Sequence, residues 1–220
     1  MEIDDPEVVA LREIVTAAQE EFDMAIAFHE VWKPATYDKD LHSRLGTSFA
    51  SQAFLVTRTA LRREMLLAMM RLWDSNRRSI RMRSVFDTLR SEEVIDALAL
   101  ERVNRLGFPE AMGQMRDELG NQAQKAVCLL SLYMKGGRRH DVFKKLLALR
   151  HERLAHRQLA RTTTTATGAS ATDEEIEEFY QVNSKLIKIL LSVAKAIAYE
   201  PQDTANIFGF YASHFWKKVT

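Results

Sequence analysis

The composition of this chain is that of a globular protein with ample apolar material for a core, since 46% of its 220 residues are hydrophobic and 28% are charged. This balance excludes a largely disordered chain, and a net charge of +1 neither favours nor excludes a nucleic-acid partner. A single cysteine excludes an internal disulfide and cannot build a metal site by itself, which is typical of proteins of the reducing cytosol.

No segment has the pattern of a membrane-targeting or membrane-spanning sequence. The opening residues, MEIDDPE, are acidic, whereas a signal peptide begins with positive charge and continues into an apolar stretch. The most apolar run, KLIKILLSVAKAIA, is too short and holds too many lysines to span a bilayer. We therefore expect a cytoplasmic protein with no membrane partner.

The first half of the chain predicts long helices. Glycine and proline are scarce, and no stretch alternates polar and apolar residues long enough to indicate a strand, so the predicted class is all-α. Asp5 followed by Pro6 is typical of a helix start, and Pro34 predicts an end near Trp32. A second long helix is predicted from about Asp40 to Trp73.

Shorter helices follow the segment DSNRRS. We predict helices over about 80–90 and 92–106, the latter capped by Ser91 and ended by Gly107 and Pro109. The next predicted helix covers about 110–135, and Gly136 and Gly137 favour a left-handed turn after it.

The last part of the chain has three further predicted features besides a helix over about 141–160. The stretch ARTTTTATGASAT, at about 160–172, has little to bury and is expected to be mobile and to border the groove beside the preceding helix. Thr172 with Glu175 forms a capping-box pattern for a helix that ends before Pro201, and a last helix covers about 203–217. We interpret 1–220 as one helical-bundle domain with additional short helices.

Residues 144–158, KKLLALRHERLAHRQ, place positive charge on the apolar side of the predicted helix 141–160. At about 100° per residue, Arg150 lies near the middle of the apolar arc, Arg153 lies inside it, and His156 continues its stripe at seven-residue steps. Burying such cations is costly unless an anion compensates them, and a phosphate is a suitable anion.

The heptapeptide RHERLAH, residues 150–156, has the form arginine, polar residue, four residues, histidine. Together with the upstream run MMRLWDSNRRSIRMRSVFDTL it resembles the HEPN superfamily, and more narrowly the abortive-infection (AbiU-type) branch, over about residues 40–200. The resemblance implies a HEPN-like helical bundle and a metal-independent endoribonuclease of a toxin–antitoxin or phage abortive-infection system. It also implies a composite site in a homodimer and a nucleotidyltransferase-type antitoxin as partner.

The resemblance gives Arg150 and His156 catalytic roles on RNA. The RNA supplies the 2′-hydroxyl as nucleophile, His156 would transfer a proton, and Arg150 would stabilise charge on the phosphoryl oxygens. His151 matches the polar position of the motif and would orient Arg150 or contact RNA, and Arg153 and Arg157 would support binding. Because Arg150 and His156 stand about 120° apart on one helix, a symmetry-related helix would complete the site.

Each of these residues has a structural alternative. Arg150 would form an internal salt bridge with a carboxylate on a neighbouring helix, and His156 would be a neutral core histidine bonded to a backbone carbonyl. Arg153 and Arg157 would be ordinary surface or interface charges. The corresponding alternative function is a non-catalytic helical interaction or nucleotide-binding module.

A second basic feature lies upstream of the motif. Eight arginines stand against Glu64 and Asp74 between positions 58 and 83, namely Arg58, Arg62, Arg63, Arg71, Arg77, Arg78, Arg81 and Arg83. Those nearest the segment DSNRRS, Arg77, Arg78 and Arg81, are candidate RNA contacts, and the alternative is a solvated helix face. No metal-ligand spacing such as His-Glu-x-x-His occurs, so we predict neither a metal nor a cofactor.

Overall fold

The structure is a computed structural model that describes residues 5–46, 49–74, 76, 80–150 and 171–218. Over these residues the regular elements are helices, with a short 3-10 helix at Pro109–Ala111 and one antiparallel bridge between Trp73 and Arg81. The helices are α1 (Pro6–Tyr37), α2 (Lys39–Leu45), α3 (Ala50–Arg71), α4 (Met82–Thr88), α5 (Glu92–Leu106), α6 (Met112–Ser131), α7 (His140–Leu149), α8 (Asp173–Lys195) and α9 (Pro201–Lys217). The all-α prediction is confirmed.

Helix α1 is the central element, and it packs against α3, α8 and α9. Its start is as predicted, because the Asp5 carboxylate accepts a hydrogen bond of 2.8 Å from the backbone N–H of Glu7. Its predicted end is wrong, since Pro34 lies inside the helix, which continues to Tyr37. Burial of Trp32 and Ala35 on either side of the proline stabilises the continuation, so tertiary packing outweighs the missing N–H.

The single helix predicted over 40–73 is divided into α2 and α3. Gly46, with a φ of 44°, ends α2 in a backbone conformation that favours glycine. Leu41 and Leu45 of α2 are buried in a cluster with Phe54 of α3 and Trp216 of α9. This cluster holds the C-terminal helix against the middle of the fold.

Three predicted helix boundaries after α4 are confirmed by their cap geometry. The Ser91 hydroxyl accepts from the N–H of Val94 at the start of α5, and Gly107, with a φ of 72°, ends that helix. Thr172 and Glu175 exchange side-chain to backbone hydrogen bonds of 3.0 and 3.2 Å, which is the capping box that begins α8.

The turn between α6 and α7 contains the two predicted glycines, but only one of them has the predicted left-handed conformation. Helix α6 ends at Ser131, earlier than predicted, and Gly136 has the expected left-handed φ of 89°. Gly137 has no positive φ; a Cβ there would lie 2.0 Å from the Ser131 carbonyl oxygen, so a close backbone approach requires glycine. The tight turn returns the chain directly into α7.

The main core collects buried side chains from α1, α3, α5, α6, α7 and α8. Its largest fully buried members include Phe22, Phe179 and Tyr133, together with the methionines of the sequence MLLAMM at 65–70. Among the described residues, no helix is long and apolar enough to cross a membrane.

Candidate functional site

Helix α7 carries the first residue of the heptapeptide motif at its C-terminal end. Its buried residues are Val142, Leu146 and Leu149, whereas Lys144 and Ala148 are exposed, so the predicted apolar side faces the core over the described part of the helix. Arg150 follows Leu149 on this side, and only 20% of its side chain is exposed. The arginine therefore lies at the edge of the core rather than on the solvated face.

The partner of Arg150 is Asp74, which lies three residues beyond the end of α3, directly after Trp73. Arg150 Nη2 donates to Asp74 Oδ2 at 3.0 Å, and the other carboxylate oxygen, Oδ1, accepts from the backbone N–H of Asn76 at 3.1 Å. The Asp74 side chain is 22% exposed. The structural alternative for Arg150 predicted an internal salt bridge with a carboxylate on a neighbouring helix. The observed contact is such a salt bridge, but its carboxylate lies just beyond the end of α3.

A buried aromatic cluster fixes the segment that carries Asp74. The Trp73 ring lies 5.6 to 6.0 Å, between centroids, from the rings of Phe143, Tyr133 and Phe179. Trp73 Nε1 donates to Asn183 Oδ1 at 2.9 Å, and Asn183 Nδ2 donates to the Phe179 carbonyl oxygen at 2.8 Å. Asn183 is completely buried, so these bonds satisfy polar groups that water cannot reach.

Backbone contacts close a loop between α3 and α4. Trp73 and Arg81 form the antiparallel bridge, and the N–H of Met82 donates to the Leu72 carbonyl oxygen at 3.2 Å. Arg81 therefore lies at the base of the loop, beside the segment that holds Asp74. Arg77 and Arg78 lie in this loop by sequence but outside the described residues.

Ion pairs join α7 to the first turns of α8. Lys145 Nζ lies 2.6 Å from Glu175 Oε1, and Arg139 Nη2 lies 2.6 Å from Glu178 Oε1. The Lys145 hydrogen bond is the main cause of a lowered pKa of Glu175. These pairs hold the motif helix beside the point where the described chain resumes at Ala171.

Most of the candidate site residues cannot be placed by the structure. His156, His151, Arg153 and Arg157 lie outside the described residues, as do Arg77 and Arg78, so Arg150 and Arg81 alone of the candidates are located. The stretch predicted to be mobile, about 160–172, also lies outside them except for its last two residues. Of those, Ala171 is buried and Thr172 caps α8.

The arginine-rich segment is largely neutralised where it is described. Arg62 pairs with Asp173, Arg63 with Glu64, Arg71 with Glu21 and Arg83 with Asp87, at nitrogen to oxygen distances of 2.8 to 3.2 Å. These pairs are partly exposed. For these four arginines, the geometry favours the solvated helix face over a surface of unpaired cations.

The described residues contain no group of three or more His, Cys, Asp or Glu side chains arranged to hold a metal ion. The site as described is thus an arginine, its carboxylate partner, and the aromatic cluster that positions both.

Sequence reasoning missed two residues of this arrangement. The sequence gives Asp74 no role beyond its place in the run that carries the family resemblance and its opposing charge in the arginine-rich segment, because its pairing with a residue 76 positions away leaves no local sequence signal. Asn183 does leave one, because it falls in the apolar stripe of α8 with Ile176, Phe179 and Ile187, where a polar residue needs a buried partner.

The family model HEPN_AbiU2, described as AbiU2, matches residues 9–215. The match includes most of α1 and most of α9, so it is wider than the resemblance over residues 40–200. No curated protein and no solved structure matches the chain.

Proposed function

Since this chain belongs to the AbiU2 family of HEPN proteins, we propose that it is an abortive-infection endoribonuclease that cleaves RNA without a metal ion. The observation that carries the proposal is Arg150, a guanidinium at the core side of α7 that is one-fifth exposed and, within the described part of the chain, is held by the carboxylate of Asp74. A cation fixed in this way is suited to an anionic ligand such as an RNA phosphate.

The proposed reaction uses the nucleophile that RNA already carries. The 2′-hydroxyl oxygen attacks the adjacent phosphorus, the bond from phosphorus to the 5′-oxygen breaks, and the products end in a 2′,3′-cyclic phosphate and a 5′-hydroxyl. One proton leaves the 2′-oxygen and one joins the 5′-oxygen. His156 carries a proton in one of these transfers, because an imidazole has a pKa near neutrality.

Arg150 would stabilise the negative charge that develops on the phosphoryl oxygens. Its guanidinium has five N–H donors, and the contact with Asp74 uses one nitrogen, Nη2, so donors remain for a phosphate. Asp74 would act as a positioning residue, since its own carboxylate is held by the N–H of Asn76. A preoriented donor needs no rearrangement when the charge forms.

The proposed site is completed by a second copy of the chain. Two-fold pairing near α7 would bring two copies of Arg150 and His156 into one groove, as the angular separation of the two residues on a helix requires. His151, Arg153 and Arg157, and Arg77, Arg78 and Arg81 of the loop, would contact the RNA strand. A nucleotidyltransferase-type antitoxin in the cytoplasm would restrain the activity.

A growth experiment tests the proposed function in the cell. Expression of the wild-type chain should arrest growth and fragment total RNA, whereas Arg150→Ala and His156→Ala should each leave growth and RNA intact. Arg83→Ala is the matched control, because Arg83 is exposed and paired with Asp87 one turn along α4. Equal arrest by wild type and both motif variants would contradict the proposal.

The second candidate function is a non-catalytic interaction or nucleotide-binding module. The Arg150–Asp74 pair favours it, because a structural arginine at the edge of a core makes the same contact. Thermal unfolding and RNA cleavage, measured together, distinguish the two functions. Motif variants that unfold many degrees lower, while wild type and variants alike leave RNA intact, would assign Arg150 and His156 to the framework and favour the non-catalytic module.

A further inference from the structure

Helix α9 is apolar on two sides, and the described residues cover only one of them. Towards α1 it buries Ala205, Ala212 and Trp216, and Trp216 Nε1 donates to the Val31 carbonyl oxygen at 2.9 Å. On another side it exposes four large apolar residues, each 53 to 59% accessible to solvent: Ile207, Phe210, Tyr211 and Phe215. An exposed row of this size on a globular protein indicates a binding surface.

The helix that presents this surface is firmly held. Arg44 of α2 donates to the carbonyl oxygens of Trp216 and Lys217 at 3.1 and 3.2 Å, and the Trp216 ring packs edge-on against Phe54 at 5.6 Å. The exposed rings also contact one another, with centroids of Phe210 and Tyr211 6.0 Å apart and those of Phe210 and His214 4.3 Å apart. The surface is therefore a preformed aromatic ridge.

Six positions on and beside this ridge have a spacing that reads the same in both directions. They are Asp203, Ile207, Phe210, Tyr211, His214 and Lys218, of which Lys218 directly follows α9, and the exposed Phe215 lies beside the set. Successive steps of four, three, one, three and four residues place them on one helix face, by the usual helical neighbours at three and four residues. A two-fold axis between Phe210 and Tyr211 would therefore superpose the set on itself.

From this symmetry we propose that α9 is a self-association surface that pairs antiparallel with the α9 of a second copy of the chain. Phe210 of each copy meets Tyr211 of the other at the axis, Ile207 meets His214, and Asp203 at one end meets Lys218 at the other. Each residue contacts a chemically suitable partner: ring on ring, apolar on ring, carboxylate on ammonium.

The charges of the helix favour a second copy over other occupants. Between Asp203 and Lys217 the helix carries no Asp, Glu, Lys or Arg, so two copies do not repel one another along the ridge. A membrane-surface helix instead carries lysines and arginines along its polar face, whereas here the polar side has Gln202, Asn206 and Ser213. The acidic start and basic end are complementary only when the helices run antiparallel.

This surface is separate from the dimer proposed at α7 and does not depend on it. All its residues belong to the C-terminal helix, and it would associate copies whether or not RNA is cleaved. If both contacts form, the particle contains four or more copies.

Charge reversal tests the antiparallel pairing most directly. Asp203→Lys and Lys218→Asp should each weaken association by about tenfold, since each places like charges together at both ends of the ridge. Mixing these two variants, or combining both substitutions in one chain, should restore it, because opposite charges then face each other again. Mass would be measured by sedimentation velocity at micromolar concentration in low salt.

Two further variants complete the test. Phe210→Glu should reduce the mass to that of a dimer if the α7 contact forms, and to that of a single copy if it does not. The far-ultraviolet circular dichroism should stay unchanged, because the position is exposed. Asp117→Lys, an exposed charge reversal on α6, should leave the mass unchanged. A wild-type monomer, a mass unaffected by Phe210→Glu, or charge-swapped mixtures that fail to associate would overturn the proposal.

Discussion

Asp74 Oδ2 and Arg150 Nη2 lie 3.0 Å apart and join the end of α3 to the end of α7. About one-fifth of each side chain is exposed, so the pair is shielded from solvent more than an ordinary surface ion pair. Trp73, next to Asp74, is packed in the aromatic cluster with Phe143 of α7. One short segment, Trp73 and Asp74, therefore positions the motif arginine and supplies its counter-charge.

The Asp74–Arg150 pair should show measurable energetic coupling. Asp74→Ala in the wild type leaves a partly buried guanidinium without its carboxylate. The same substitution made in Arg150→Ala leaves no such unpaired charge. Asp74→Ala should therefore destabilise the wild type more than it destabilises Arg150→Ala. We expect a coupling free energy of about 1 kcal/mol or more from urea unfolding of the four proteins.

The exposed pair Arg83–Asp87 is the control for this cycle. Its side chains are 68% and 56% exposed and lie one helical turn apart, so its coupling should stay below about 0.5 kcal/mol. Equal coupling in the two pairs would show that the Asp74–Arg150 contact has no special structural role.

Asn183 should stabilise both the core and the position of Asp74. Asn183→Ala removes the acceptor of the partly buried Trp73 N–H and should lower the free energy of unfolding by about 1–3 kcal/mol. Because Trp73 carries Asp74, the variant should also lower the rate of RNA cleavage. Asn121→Ala, on the exposed side of α6, should change neither quantity. Full activity in a destabilised Asn183→Ala protein would separate the aromatic cluster from the site.

His29 should make stability depend on pH. It is buried, with Nδ1 2.9 Å from Glu30 Oε1 and Nε2 2.9 Å from Glu177 Oε2, and both nitrogens donate only in the imidazolium form. Burial, the largest single influence, lowers the pKa of His29, but the hydrogen bonds and charges of Glu177 and Glu30 together raise it above 6.5.

A raised folded-state pKa fixes the direction of this dependence. The contribution of His29 to stability is fully present below the unfolded value of 6.5 and is lost as pH rises through the folded value. We expect the urea midpoint of the wild type to fall across this range and that of His29→Gln, which does not titrate, to fall less. The same slope in both proteins would assign the dependence to other groups.

Gly137 should tolerate no side chain. In Gly137→Ala the added Cβ would meet the carbonyl oxygens of Ser131 and Leu132, so the turn must shift and stability should fall by about 1–3 kcal/mol. Gly120→Ala is the matched control in α6, where the added Cβ meets nothing within 4 Å and stability should rise by about 0.5–1 kcal/mol. Thermal unfolding of both variants checks the signs.

Features set by neighbouring residues were predictable from the sequence. The caps at Asp5, Ser91 and Thr172 depend on a side chain and an N–H two or three residues away, and all three form as predicted. The apolar side of α7 follows from helical spacing alone. The class and the family resemblance rest on the same local patterns.

Features set by distant packing were not predictable in this way. Helix α1 passes Pro34 because Trp32 and Ala35 are buried against other helices, which no local rule reports. Asp74 became the partner of Arg150 through contacts between segments far apart in the chain. The arrangement of His156 and its neighbours stays a prediction, because those residues lie outside the described ranges.

The most direct measurement of the central claim is cleavage of a defined RNA by the purified protein in EDTA. We expect cleavage to persist, to leave 2′,3′-cyclic phosphate ends, and to stop when the cleaved position carries 2′-deoxyribose. Arg150→Ala and His156→Ala should each lower the rate by about two orders of magnitude or more, the scale for loss of a charge stabiliser or of a general acid–base group. Cleavage that requires a divalent ion, accepts the deoxy substrate, or survives in both variants would contradict the account.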